Sequence, residues 1–281
     1  MKKIFLILSA VALASCCNCA DNNKESLTNF VDPKIGTGGH GHVFVGANVP
    51  FGMVQLGPTS IPQDWDWCSG YHDSDETVIG FSHTHLSGTG IGDLFDITVM
   101  PVTGDVTYAR GVENDPESGL WSYADRSQEV AKAGYYSVPL KRYGITAELT
   151  ATERVGFHRY TFPQSDNAAI VIDLENGGCW DAVTDAGFQL GDDNTHISGW
   201  RRSKGWANDQ HVYFTAELSK PYESCEIFNE HYARLSFKTE DGEQVMLKVA
   251  ISPVGIEGAA KNLAAELSEW DFDATGAAAN E

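Results

Sequence analysis

The sequence predicts an all-β fold, a large β-sandwich, with a short C-terminal helix. Three observations predict it. Between residues 95 and 252, short apolar or alternating runs recur with almost no helical periodicity. Turn-forming clusters separate these runs, among them Gly191-Asp192-Asp193-Asn194 and Glu240-Asp241-Gly242-Glu243. The clearest helical stripe after the amino-terminal apolar run comes only near the end, where Leu263, Leu267 and Trp270 are spaced i, i+4 and i+7. Several short strands bounded by turn residues pack as two antiparallel sheets face to face.

Taken in order, the chain opens with an address. Lys2 and Lys3 precede an apolar run over residues 4–14, about half of the ~20 residues a membrane-spanning helix needs. Leu13-Ala14-Ser15-Cys16 follows and resembles a bacterial lipoprotein signal, with cleavage before Cys16 and lipid on its sulfur. The alternative is an ordinary secretory signal cleaved at a small residue. Either way residues 1–20 are set apart from the fold and the mature protein is exported, with a polar tether over residues 21–27. An outer-membrane lipoprotein, on the periplasmic face or at the cell surface, is the expectation. The sandwich is expected over residues 28–258. Its strands are read at residues 96–102, 144–162, 168–174, 211–218 and 244–251, which are apolar or alternate with Thr, Glu, His and Tyr. A helix is expected over residues 259–270, with the segment 259–281 either packed back on the sheets or opening a second, helical domain.

The net charge of −20 argues against a nucleic-acid partner, whose phosphates require Lys and Arg. It also disfavours electrostatic docking on an anionic membrane, which leaves the lipid as the anchor. Cys68, Cys179 and Cys225 remain after the signal region. Three is odd, so one disulfide at most can form, and whether Cys179 and Cys225 pair stays open. No Cys-x-x-Cys spacing suggests structural zinc.

The segment from Trp65 to Asp93 concentrates the chemistry. It contains Trp65-Asp66-Trp67-Cys68-Ser69-Gly70-Tyr71-His72 and Gly80-Phe81-Ser82-His83-Thr84-His85-Leu86-Ser87-Gly88-Thr89-Gly90-Ile91-Gly92-Asp93. Weak periodicity marks it as mostly loop, where function concentrates. Aromatic faces beside hydrogen-bonding groups suit a sugar, which has apolar C–H faces and a rim of hydroxyls. Trp65 and Trp67 lie among polar and glycine neighbours, so one of them is expected to contact ligand; Phe51, Phe81 and Trp206 are further plates, with core packing the competing role for all. His40 with His42, and His83 with His85, are i, i+2 pairs that could chelate a metal, with Asp66, Asp93 or Asp96 completing the site. Hydrogen bonding to backbone and substrate is favoured instead, because no helical His-Glu-x-x-His partner pattern accompanies them. The loop Gly36-Thr37-Gly38-Gly39-His40-Gly41-His42 lacks the Gly-Lys-Ser/Thr ending of a phosphate loop and reads as a flexible rim. The carboxylates Asp64, Asp66, Glu76 and Asp93 are not assigned a catalytic role. Gly199-Trp200-Arg201-Arg202-Ser203-Lys204-Gly205-Trp206 reads as a solvated hairpin tip rather than a second binding loop.

Val31-Asp32-Pro33, Ile35-Gly36-Thr37-Gly38-Gly39-His40-Gly41-His42, Pro50-Phe51-Gly52-Met53-Val54-Gln55 and the two motifs above together resemble the amino-terminal domain of glycoside hydrolase family 92, exo-acting α-mannosidases. Lys34 and Asn48 depart mildly from the commoner residues. The resemblance implies a β-sandwich joined by helices to an (α/α)6 barrel, with the sugar pocket between them. It implies inverting hydrolysis helped by Ca2+, an acid protonating the leaving oxygen and a base activating water. Those carboxylates and most calcium ligands would come from the barrel, and no residue here matches the acid or base motif. The resemblance therefore implies half an enzyme, inactive alone, that lends one wall to a pocket for mannose-containing glycans. The wall would be Trp65, Asp66, Trp67, Cys68, His83 and His85, with Gly38 and Gly39 beside them. Residues 259–281 would open the linker to the barrel. Two competing expectations are a free-standing surface sugar-binding lipoprotein without catalysis and a metal hydrolase complete in this domain.

Overall fold

The computed structural model describes residues 26–92, 94–177 and 180–281. The signal reading with Cys16, most of the tether, Asp93 and the pairing of Cys179 with Cys225 fall outside the described residues. The strands are β1 (Gly57–Thr59), β2 (Thr77–Val78), β3 (Gly80–Ser82), β4 (Thr98–Thr103), β5 (Ser122–Tyr123), β6 (Val130–Lys132), β7 (Tyr135–Leu140), β8 (Ile145–Ala151), β9 (Val155–Phe162), β10 (Ser165–Asp173), β11 (Ala182–Leu190), β12 (His196–Lys204), β13 (Gln210–Leu218), β14 (Ser224–Phe228), β15 (Tyr232–Thr239) and β16 (Glu243–Ser252). A six-stranded sheet runs β1-β3-β4-β10-β15-β14, an eight-stranded sheet β11-β12-β13-β16-β9-β8-β7-β6, and β2 pairs with β5.

The two large sheets enclose the main core. Val99, Ile170, Val171, Ile172, Leu235 and Phe237 come from one, and Tyr160, Phe162, Phe214, Val245, Leu247 and Val249 from the other. Strand periodicity produces this directly. On β16, Val245, Leu247, Val249 and Ile251 point into the sandwich, while Met246 and Ala250 belong to a second cluster on the outer face. A strand covered on both sides reads as a nearly continuous apolar run, and β16 is the last run seen in the sequence. Strands β11, β12 and β14 were missed because their faces are largely polar or half exposed. The stretch expected as a solvated hairpin tip is a correction: Gly199 to Lys204 lie within β12, and Arg201 is buried.

Two helices, α1 (Ile256–Glu266) and α2 (Phe272–Asn280), cover the outer face of the eight-stranded sheet. Ala259, Leu263, Leu267 and Phe272 bury against Val155, Phe157 and Ala250. The single expected helix to residue 270 is thus corrected. α1 stops at Glu266, and Asp271 starts α2 by accepting a hydrogen bond from the Ala274 N–H at 2.9 Å. Trp270 lies between the helices, where the buried Lys248 Nζ sits 3.8 Å from its ring centroid. Lys248 Nζ also donates to the Ser268 carbonyl at 3.1 Å, which ties the turn between the helices to the sheet.

Leu263→Ala removes the centre of this outer cluster and should cost about 2–4 kcal/mol in urea unfolding. An unchanged midpoint would mean the helix is not docked on the sheet in solution.

Candidate functional site

Three loops gather beside the β1–β3 edge: residues 36–47, 60–76 and 83–97. They are stitched together by Gly88 N–H to the His42 carbonyl at 2.6 Å and Asp73 N–H to the Thr37 carbonyl at 3.1 Å, and the second is closed on itself by Ser60 N–H to the Gly70 carbonyl at 2.7 Å. Within the second loop, Trp65–Trp67 form a short 3-10 turn. Asp64 caps it by accepting from the Asp66 N–H at 3.1 Å. The indole N–H of Trp65 donates to the Gly90 carbonyl at 2.8 Å, which locks the ring against the third loop. Gly90 has φ +68, and a Cβ there would lie 2.9 Å from the Trp65 ring. Only glycine permits both the turn and the approach.

Trp65 remains 49% exposed, and polar groups converge beside it. His40 Nδ1 lies 2.7 Å and His42 Nε2 3.1 Å from the same oxygen, Asp66 Oδ1. The His42 and Trp65 ring centroids are 4.3 Å apart, edge to face. The hydrogen bond to Asp66, reinforced by its charge, raises the His40 pKa above the ordinary imidazole value. Reciprocally, the hydrogen bond from His40 lowers Asp66. Among the described residues, His40, His42 and Asp66 are the group of ligand-type side chains close enough to share a metal ion, with their ligand atoms within 4.8 Å of one another. They offer two imidazole nitrogens and one carboxylate. Ca2+ takes six to eight oxygen ligands, so this group does not fit calcium. The carboxylate is instead satisfied by the two imidazoles.

The other expected wall residues part company. Gly38 and Gly39 are exposed on the rim, and the His72 ring lies 3.3 Å from the Gly39 carbonyl. Trp67 turns away from Trp65, stacks on His72 at 4.4 Å and donates its indole N–H to Asp75 at 2.6 Å. Cys68, His83 and His85 are 1%, 0% and 2% exposed, beneath the wall rather than on its surface. His83 and His85 do not act as a chelating pair. His85 turns Nδ1 to the Gln55 carbonyl at 2.8 Å. His83 Nδ1–H donates to the Ile97 carbonyl at 2.6 Å, so its Nε2 is an acceptor. His158 Nε2–H then donates to His83 Nε2 at 3.0 Å, and the Tyr160 hydroxyl donates to His158 Nδ1 at 2.7 Å. Every ring nitrogen is used once with both imidazoles neutral. Burial lowers His83 and His85 to about 4 and holds His158 well below the ordinary imidazole value. Of the other plates, Phe81 is buried in the core and Phe51 is fully exposed.

Sequence reasoning missed what holds the third loop. Arg201 NH1 donates to Asp96 Oδ1 at 2.6 Å, its NH2 to Asp181 Oδ1 at 2.7 Å, and its Nε to the Leu174 carbonyl at 3.0 Å. Asp96 also accepts from Thr84 at 2.7 Å and Gln210 at 2.8 Å. A buried arginine in a polar strand carries no periodic signature, so only the cation count in an acidic chain hinted at it.

The fold and this loop cluster together define a two-sheet β-sandwich domain with an exposed aromatic and polar site at one sheet edge. Residues 30–252 match the glycosyl hydrolase family 92 N-terminal domain, and the chain belongs to that family. An α-mannosidase of the same family from Bacteroides thetaiotaomicron, solved in complex with mannoimidazole, is 37% identical over 91% of this chain, with a TM-score of 0.84. A family 92 inverting mannosidase from the same organism is 22% identical over 90% of this chain, with a TM-score of 0.73, and shows the fold alone. An uncharacterized secreted glycosidase of Arthroderma benhamiae is 24% identical over 89% of this chain. The chain spans 36%, 35% and 36% of the lengths of these three relatives, respectively.

Asp66→Asn should bring the His40 titration, followed by NMR, down toward the ordinary imidazole value; an unchanged titration would mean the pair does not form. Acid should weaken the whole domain. The buried imidazoles stay neutral in the fold but protonate in the unfolded chain, so protons bind preferentially to the unfolded state between their ordinary and lowered pKa values. From His83 alone, about 3 kcal/mol should be lost as pH falls from ~6.5 to ~4. Urea midpoints measured across that range check this, and His83→Gln should flatten the slope.

Proposed function

We propose that this chain is the amino-terminal domain of an exported inverting α-mannosidase and lends one wall to the pocket for a terminal mannose. The observation that carries the reading is Trp65: a half-exposed indole, locked by its own N–H, with Asp66 and His40 at its edge. An apolar C–H face of the sugar packs on the ring, while Asp66 accepts from ring hydroxyls. The family match and the mannosidase relatives support the substrate class. The likeness to a secreted glycosidase supports export, and Cys16 is the proposed lipid anchor. Among the described residues no helix is long and apolar enough to cross a membrane.

On this reading the chain's own residues bind and orient the sugar and exclude water from one side. The acid and base, which in an inverting enzyme stand about 6.5–9.5 Å apart, lie on the remaining length of the polypeptide. The calcium implied by the family resemblance belongs there too, because the His40–His42–Asp66 group does not suit it. Leu27, Phe30, Ile35 and Phe51 are 83%, 72%, 74% and 106% exposed. Such an apolar rim suits burial against a following domain. Cys68, His83 and His85 support the wall from beneath.

Methyl α-D-mannoside should shift the Trp65 indole N–H resonance of this chain, and Trp65→Ala should weaken binding at least about tenfold. The chain alone should not hydrolyse 4-nitrophenyl α-D-mannoside. Turnover that survives purification and is abolished by His40→Ala would overturn the placement of the acid and base elsewhere.

A further inference from the structure

The rim loop brings two imidazoles to a single carboxylate oxygen. His40 Nδ1 and His42 Nε2 both meet Asp66 Oδ1, at 2.7 and 3.1 Å. The backbone that presents His42 is held in place. His42 takes left-handed backbone, with φ 54, a conformation kept only where the surroundings over-determine it. Gly41 passes so close to Gly36 that a Cβ would lie 2.0 Å from the Gly36 carbonyl oxygen. The Gly88 N–H fastens the His42 carbonyl from the third loop. The His42 ring itself is buried against Trp65. One imidazole is therefore fixed, while the His40 side chain is 77% exposed and able to swing.

This geometry is close to that of a metal-bound set. With bonds of about 2.0–2.2 Å, two ligands of a tetrahedral Zn2+ stand about 3.3–3.6 Å apart. The two contacts to Asp66 fall short of that by less than about 1 Å, and the three ligand atoms lie within 4.8 Å of one another. Exchanging two N–H···O bonds for one ion requires the rings to part slightly. Each ring then carries its proton on its other nitrogen, His40 on Nε2 and His42 on Nδ1. Two imidazoles and one carboxylate suit Zn2+ and its transition-metal neighbours, whereas Ca2+ and Mg2+ prefer oxygen ligands. Asp66 is partly exposed as well, so the fourth position falls to solvent.

We propose that His40, His42 and Asp66 form a site for a borderline divalent ion, Zn2+ first among them, and that the bound ion shuts sugar out of the Trp65 wall. An ion on Asp66 takes lone pairs that would accept from sugar hydroxyls, and it sits beside the Trp65 ring. The blockade rests on the mannose-pocket reading; the metal site does not.

The test adds ZnCl2 to the chain and follows the imidazole resonances by NMR, with CaCl2 as the comparison. Zinc should move the His40 and His42 signals together, and calcium should move neither. Asp66→Asn and His40→Ala should each weaken zinc binding, read on the His42 signal, at least about tenfold, since losing even an outer partner of a metal ligand costs about 10–100-fold. Zinc that leaves either signal unmoved, or binds Asp66→Asn as well as the wild type, overturns the site. A calcium response equal to that of zinc overturns the choice of ion. Saturating zinc should also abolish the Trp65 indole shift produced by methyl α-D-mannoside, and a sugar shift that survives it overturns the blockade. A chain that shows no sugar shift without zinc overturns the pocket reading and the blockade with it, while the zinc signals still decide the metal site.

Discussion

The site depends on one guanidinium. Arg201 extends from β12 of the eight-stranded sheet and holds Asp96, which leads into β4 of the six-stranded sheet, together with Asp181 at the start of β11. The segment around Asp96 would not hold its shape unaided. Leu94, Phe95 and Ile97 all take left-handed backbone, with φ of 77°, 62° and 53°. Conformations of that kind cost about 1–3 kcal/mol each and persist only where the surroundings over-determine them. Asp96 supplies that determination through Arg201, Thr84 and Gln210, and its carbonyl accepts from the His83 N–H at 3.0 Å. A buried cation with two carboxylates is no bargain against an apolar core of the same volume, but removing one partner strands the others. Its value here is positional.

A second polar device sits below the first. The chain from Tyr160 through His158 and His83 to the Ile97 carbonyl ties β9 to the same strained loop. Gly156 makes room for it: a Cβ there would come within 2.7 Å of the His83 ring. Because each donor has one acceptor, the tautomers are determined and the loop has one register against the sheet. The two devices approach the loop from different strands of the eight-stranded sheet. Between them they position the glycines whose carbonyls hold Trp65 and Trp180.

At the surface the chemistry divides by exposure. Asp66, His40 and His42 satisfy one another at the edge of an indole that faces solvent. Trp67, one turn-residue away, is spent on Asp75 and His72. Neighbouring aromatics of the same motif thus do different jobs, one presenting a face and the other fastening the loop that presents it. Lys34 is also structural: it pairs with the buried carboxylate of Glu129, which Arg126 and Tyr136 share.

By itself, the sequence determined the fold class, the order of the strands with strong apolar alternation, and the loop that carries Trp65 and Asp66. These follow from periods and turn residues that are local along the chain. Family membership was legible for the same reason, since its motifs are contiguous. Only the tertiary structure decided which members of those motifs reach the surface. His83 and His85 look like His40 and His42 in sequence, yet the first pair lies inside and the second converges on Asp66. Exposure is set by what packs on a loop from distant parts of the chain, here His158, Gln55 and Arg201, and no local pattern encodes it. The anchoring of Trp180 is non-local likewise: its backbone N–H reaches the carbonyl of Gly92, almost ninety residues away in the chain, on the loop whose Gly90 carbonyl holds Trp65.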